Sequence, residues 1–292
     1  MRSSSKAALG VGLALAALEI GLQVADPAAT WRDELVPQQV SELDIHRLSE
    51  DEDLLYELVP SLDMERMGPH GAYSLRTNER GFRGDRPEPG GIMVLGGSNS
   101  FGPGVGEDET WPAVMAEALG EPVYNLGVSG YMTRQKVAFA RKNLDLRPRL
   151  VLLQIFNTGR RFLLHGTVDE AFDRWPSLYS EYFAGPGLWG IATLRTVAMG
   201  WNRANQAKVA EARFEETVRD DAQAVNDLVA ELDVPVVLVI PAAGGDLPGV
   251  DLPSIDLSGM EPPTTEIHPE ASGHRWAGER VAEALRSGVG SR

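Results

Sequence analysis

The sequence predicts an α/β protein: a flavodoxin-like three-layer α/β/α sandwich around a parallel sheet, with an N-terminal apolar helix ahead of it and an aromatic-rich insert within it. Three observations predict this. From residue 91 onward, short apolar runs alternate with longer amphipathic stretches, the rhythm of strand–helix–strand crossovers. Runs such as Ile92–Leu95 and Leu150–Phe156 show no polar alternation, as expected of strands covered on both faces. Glycine, serine and asparagine gather where these runs end, at the edge where an open parallel sheet binds its ligands.

The elements follow in order. Arg2 and Lys6 precede an apolar stretch, Ala7–Ala25, broken only by Glu19 and Gln23. Residues 1–25 therefore read as a signal anchor or a cleaved signal peptide, with a buried amphipathic helix as the third reading. Both leading readings keep the positive charge inside and put the rest of the chain outside the cytoplasm, membrane-anchored or secreted. Residues 26–90 read as a stalk or wrapping segment and a lead-in: polar, acidic and aperiodic to Asp63, then turn-rich around Gly81 and Gly84. Residues 91–292 form the main domain. Its expected strands are Ile92–Leu95, Pro122–Leu126, Leu150–Phe156 and Val234–Ile240. Its expected helices are Asp108–Leu119, with Thr110 and Pro112 as start signals, then Thr133–Leu144, Phe214–Leu232 and Glu270–Leu285. Residues 159–206 interrupt the rhythm with Phe162, Phe172, Trp175, Tyr179, Trp189 and Trp201, either a lid or acyl pocket or a satellite hydrophobic cluster.

Composition removes several functions. A formal charge of −15 leaves no basic stripe for phosphates, so nucleic acid is not an expected partner. The absence of cysteine excludes disulfides, thiolate metal sites and cysteine nucleophiles. His46, His70, His165 and His274 show no metal-ligand spacing with carboxylates, so no metal is expected. The glycines from Gly102 to Gly106 lack the Lys-Ser/Thr ending and the dinucleotide spacing of nucleotide loops, so no cofactor is expected either.

What remains is acyl-transfer chemistry. Leu95-Gly-Gly-Ser-Asn-Ser-Phe-Gly102 follows the first strand of the domain and offers Ser98, with Ser100 as its local competitor. A serine nucleophile needs a base, an orienting acid and oxyanion donors. Asn125-Leu-Gly-Val-Ser-Gly130 follows the second strand, Asn157 the third, and His268 precedes the last helix. Each has a plain structural alternative as a turn residue. Together they line the ligand-binding edge of one sheet.

In order and spacing these segments resemble the blocks of the SGNH (GDSL-like) hydrolase family. The first block, Gly-Asp-Ser-x-Thr-x-Gly, is matched by Gly96–Gly102 with Gly97 in place of Asp and Ser100 in place of Thr. Asn125 and Gly130 match the second block, Asn157 the third, and His268-Pro269 the last. The Thr-Asn-Glu-Arg-Gly-Phe-Arg-Gly lead-in and the apolar N-terminus look like membrane-associated bacterial members. The resemblance runs from roughly Leu55 to the C-terminus. It implies a serine esterase or acyl hydrolase acting through an acyl-enzyme on a small-molecule, glycan or lipid ester. Ser98 would be the nucleophile and His268 the base. The backbone N–H groups of Ser98 and Gly130, with the Asn157 amide, would hold the oxyanion. The family's last-block Asp is absent: Thr265 and Glu266 stand there instead, so Glu266 is the carboxylate expected to orient His268. An O-acyltransferase on the same fold, or a non-catalytic assembly protein of an envelope polysaccharide system, are the alternatives.

Overall fold

The computed structural model describes residues 13–22, 44–155 apart from 52, 55, 69–70 and 85–88, then 215–216, 218–241, 245, 247–259 and 268–290. The insert 159–206 lies outside them. The chain divides into two units, Met1–Gln38 with Arg160–Phe214, and Gln39–Gly159 with Glu215–Arg292. In the first unit the described part is helix α1, residues 13–22, whose Leu13, Leu15, Leu18 and Ile20 are exposed. Among the described residues no helix is long and apolar enough to cross a membrane.

The second unit holds two antiparallel pairs and a five-stranded sheet. The pairs are β1 (His46–Leu48) with β2 (Tyr56–Leu58), and β3 (Asp63–Gly68) with β4 (Gly71–Arg76). The sheet strands are β5 (Ile92–Gly96), β6 (Val123–Gly127), β7 (Leu150–Gln154), β8 (Val236–Pro241) and β9 (Ser254–Leu257). All neighbours are parallel, in the order β6-β5-β7-β8-β9. This is the doubly wound order 2-1-3-4-5 of a flavodoxin-like sheet, as expected. Its switch point lies between β5 and β7, where ligands bind beyond the strand ends.

Both faces are covered. Ile92, Val94, Leu150, Leu152, Val237 and Val239 share a core with Trp111 and Met115 of helix α3 (Trp111–Leu119) and Ala277, Val281 and Ala282 of α6 (Ala271–Arg286). The alternate residues Met93, Leu95, Val151 and Leu153 are equally buried and point to the opposite face by strand period. Helix α4 (Thr133–Lys142) and helix α5, residues 218–231, run side by side, tied by the exposed pair Arg141 and Glu231. Their inward stripes are Val137 and Ala140, and Ala222, Val225 and Leu228.

The boundaries deviate for local reasons. Residues 107–109 form a 3-10 turn, and α3 begins at Trp111 because Thr110 is extended and its side chain caps Ala113 N. The His274 ring accepts Trp111 N–H at 3.1 Å, which satisfies a second orphan donor of that helix. Strand β9 is a fifth strand beyond the expected four. Within residues 26–90, Ile45, Leu54, Tyr56, Leu58, Tyr73 and Leu75 are all buried.

Helices α3 and α6 touch at a glycine. A Cβ on Gly278 would stand 2.7 Å from Trp111 O and 2.7 Å from the Val114 side chain. The Trp111 carbonyl is backbone and cannot swing away. Gly278→Val should therefore lower the unfolding free energy by about 1–3 kcal/mol, the usual cost of overpacking. Urea denaturation reads this, and an unchanged midpoint would contradict the packing described.

Candidate active site

Strand β5 runs straight into α2 (Ser98–Phe101), a single helical turn whose residues are all buried. Gly97 caps its start and Gly102, at φ 76°, its end. The turn lies on the ends of the strands, which demands glycine beneath it. A Cβ on Gly127 would sit 2.4 Å from Phe101 N, and one on Gly96 2.0 Å from Ser100 Oγ.

Side chains then fix the turn. Asn125 Nδ2 donates to Ser100 O at 2.7 Å, while its Oδ1 accepts from Gly127 N at 3.0 Å. Gln154, at the end of β7, accepts from Ser100 Oγ at 3.0 Å and from Gly97 N at 3.4 Å. Ser100 is therefore a structural residue. Ser98 differs: its Oγ is buried, in a residue 4% exposed, with no hydrogen-bond partner among the described residues. Asn99 Oδ1, next along, is in the same condition. As the first residue of the turn, Ser98 also has no intrahelical acceptor for its N–H.

Beneath the turn lies a buried arginine. The Arg83 guanidinium donates at 2.6 Å to each of Phe101 O, Gly102 O and Val105 O, and at 3.2 Å to Ser74 O. It pairs with Glu107 at 3.3 Å and lies over the rings of Tyr73 and Phe101. Glu107 also accepts from Arg76 N and Ser74 Oγ. Burial alone would raise the Glu107 carboxyl, but the Arg76 N–H and the Arg83 charge outweigh it and hold the group below its usual range. Sequence reading missed Arg83 as part of this site.

Gly130 lies in the loop between β6 and α4 at φ 84°, a conformation that favours glycine. The structure brings this loop to the Ser98 turn. Val128 N donates to Gly96 O at 3.2 Å, and a Cβ on Gly97 would be 3.7 Å from Tyr131 O. The wrapping segment braces it from outside. Tyr56 OH donates to Ser129 O at 2.8 Å, Tyr131 OH to Tyr56 O at 2.6 Å, and Gln135 Nε2 to Leu54 O at 2.9 Å. Burial pushes the Tyr131 phenol well above its ordinary range, so it remains a donor.

His268 is half-buried at the entrance to α6, followed by the buried Pro269. Since Ser98 Oγ has no partner among the described residues, a Ser98–His268 bond is not made in this geometry. Catalytic hydrogen bonds commonly tighten only around substrate. Asn157 and Glu266 lie outside the described residues, as does Thr265. Among the described residues no cluster of His, Asp and Glu could hold a metal ion.

Neither a protein-family model nor a curated protein matches this chain. Among solved structures, one described as a lipolytic protein of the G-D-S-L family from Desulfitobacterium hafniense DCB-2 is similar at 12% identity and a TM-score of 0.40, over 66% of this chain and 98% of that one.

Arg83→Met should cost about 3–5 kcal/mol, because it removes the buried counter-charge of Glu107 and the donor to Phe101 O and Val105 O. Arg83→Lys should recover little, as a point charge cannot replace the fork. The pH dependence has a defined sign. A depressed folded-state value means that Glu107 adds stability above the ordinary carboxylate range and loses it as pH falls through the lowered value. Arg83→Met should therefore flatten the acid limb of unfolding free energy against pH, and an unchanged limb would contradict the pairing.

Proposed function

We propose that this protein is a serine-dependent ester hydrolase working through an acyl-enzyme. One observation carries the reading. Where Ser100, Asn125 and Gln154 are all tied down, the Ser98 hydroxyl is the nucleophilic group of the turn that is held buried and uncommitted at the ligand edge of the sheet, beside the equally unbonded Asn99 Oδ1. Leaving a buried hydroxyl without a partner costs about 1–3 kcal/mol, so a reacting group or substrate is its natural counterpart.

In this reading Ser98 Oγ attacks the ester carbonyl while His268 takes its proton. The carbonyl oxygen becomes an oxyanion, held by the N–H groups of Ser98 and Gly130 and by the Asn157 amide. The C–O bond to the alcohol breaks, and the imidazolium returns the proton to the leaving oxygen. Water, activated by the same histidine, then releases the acid from Ser98. Glu266 orients the imidazole and stabilises its cation. A sugar hydroxyl replacing water in the second half would make the same site an acyltransferase. The substrate we assign is an acyl ester of an extracytoplasmic glycan or lipid. The apolar stretch Ala7–Ala25, with leucines exposed along α1, supports an envelope location by anchor or secretion.

Hydrolysis of p-nitrophenyl acetate by the purified full chain tests the reading. Ser98→Ala should abolish turnover and leave the circular dichroism spectrum intact, while Ser100→Ala, which removes one of the two bonds Gln154 makes to the turn, should cost about 1 kcal/mol of stability and lower kcat by about 10-fold at most. Glu266→Gln should lower kcat by about 100-fold or more at nearly constant KM. Full activity in the Ser98 variant would overturn the mechanism.

A further inference from the structure

Lys136 and Asp221 are buried charges that the proposed reaction does not use. They lie on neighbouring helices, near enough for the Lys136 charge to act on the Asp221 carboxyl, with Lys136 3% and Asp221 1% exposed. A buried ammonium is strongly unfavourable unless paired and hydrogen-bonded, and an aliphatic side chain of similar length would fill the space more cheaply. The lysine also has a hydrogen-bond acceptor. Its Nζ donates to Gln154 O at 2.7 Å, at the end of the central strand β7. The side chain of that same Gln154 holds Gly97 N and Ser100 Oγ, on either side of Ser98.

We propose that Lys136 is a positioning residue for Ser98, with Asp221 as its buried counter-charge: the ammonium locks the Gln154 carbonyl, and the Gln154 amide locks the turn around the nucleophile. This rests on the reading of Ser98 as nucleophile. Asp221 is anchored by Thr133, on the same helix as Lys136. Burial raises its carboxyl to about 6, against the pull of Thr133, Lys136 and Arg134 and with a push from Asp220. At neutral pH it is therefore the anion that a buried Lys136 requires. The three groups link α4 and α5 to β7, so the layer behind the sheet is tied to the turn in front of it.

Two paired replacements separate positioning from bulk stability. Lys136→Met/Asp221→Asn removes both charges together and so avoids an orphaned ion. It should melt close to the wild type, yet hydrolyse p-nitrophenyl acetate with kcat lowered about 10- to 100-fold at unchanged KM. Lys136→Gln/Asp221→Asn keeps a donor for the Gln154 carbonyl without any charge, and should recover kcat to within about threefold of wild type. Equal kcat in the two double variants overturns the proposal. Should the methionine variant fail to fold, the glutamine variant decides alone, since a loss of about 10-fold or more there shows that the bond to Gln154 is not what matters. Amide hydrogen exchange across residues 92–102 gives an independent readout. It should quicken in the methionine variant and not in the glutamine variant, and no change in either overturns the proposal. If the wild type shows no hydrolysis, the nucleophile reading fails by itself, and the exchange result still decides the role of Lys136.

Discussion

The arrangement depends on one buried cation. Arg83 is buried, and while its Nε has no acceptor among the described residues, its two terminal nitrogens need acceptors within the protein. It finds them at the carboxyl end of the Ser98 turn, in Phe101 O and Gly102 O, and just beyond at Val105 O. Gly102 O also accepts from Val105 N at 3.4 Å, but Phe101 O would otherwise be an orphan at the end of a helix too short to satisfy itself. Glu107 neutralises the charge, and the backbone of Arg76 holds Glu107 in turn. The charge belongs to a segment outside the sheet, yet it completes the turn that presents Ser98.

The same logic extends to the neighbouring loop. Gly130 sits between Ser129, whose carbonyl accepts from Tyr56, and Tyr131, whose hydroxyl donates back to the Tyr56 carbonyl. Edge-to-face contacts continue from His46 through Tyr56 and Tyr131 to Phe139, at centroid distances of 5.4 to 5.6 Å. The described residues between 44 and 84 therefore brace two of the segments that the proposed chemistry uses, the Ser98 turn and the Gly130 loop. The sheet supplies direction, and the wrapping segment supplies rigidity.

The parts legible in the sequence were those governed by periodicity. The apolar runs became β5, β6, β7 and β8, and the glycine- and serine-rich ends became the turn and loop beside one another. Strand β9 escaped because Ser-Ile-Asp-Leu is short and alternates exposed with buried, as an edge strand does. Strands β3 and β4 alternate in burial as β9 does, and β1 and β2 are three residues each, too short to show a period in a polar stretch. Arg83 was hidden by its type, since arginine is rarely fully buried and reads as surface. Its lead-in, Thr-Asn-Glu-Arg-Gly-Phe-Arg-Gly, carried a signal only through resemblance. Two other signals were physical and readable. Gln154 is a polar residue ending an apolar strand, and Lys136 flanks the inward stripe of Val137 and Ala140. Resemblance sets Ser100 below Ser98, and in the structure the Ser100 hydroxyl is committed to Gln154.

The proposed nucleophile, Ser98, stands on a turn held by Arg83, Asn125 and Gln154 with its own hydroxyl unbonded. Treating the intact full-length protein with a fluorophosphonate, followed by tandem mass spectrometry, tests that role most directly. The account predicts one covalent phosphonate adduct, on Ser98, lost in Ser98→Ala and unaffected by Ser100→Ala. An unlabelled folded protein, or an adduct on a different serine, would contradict it and favour a non-catalytic role for this fold.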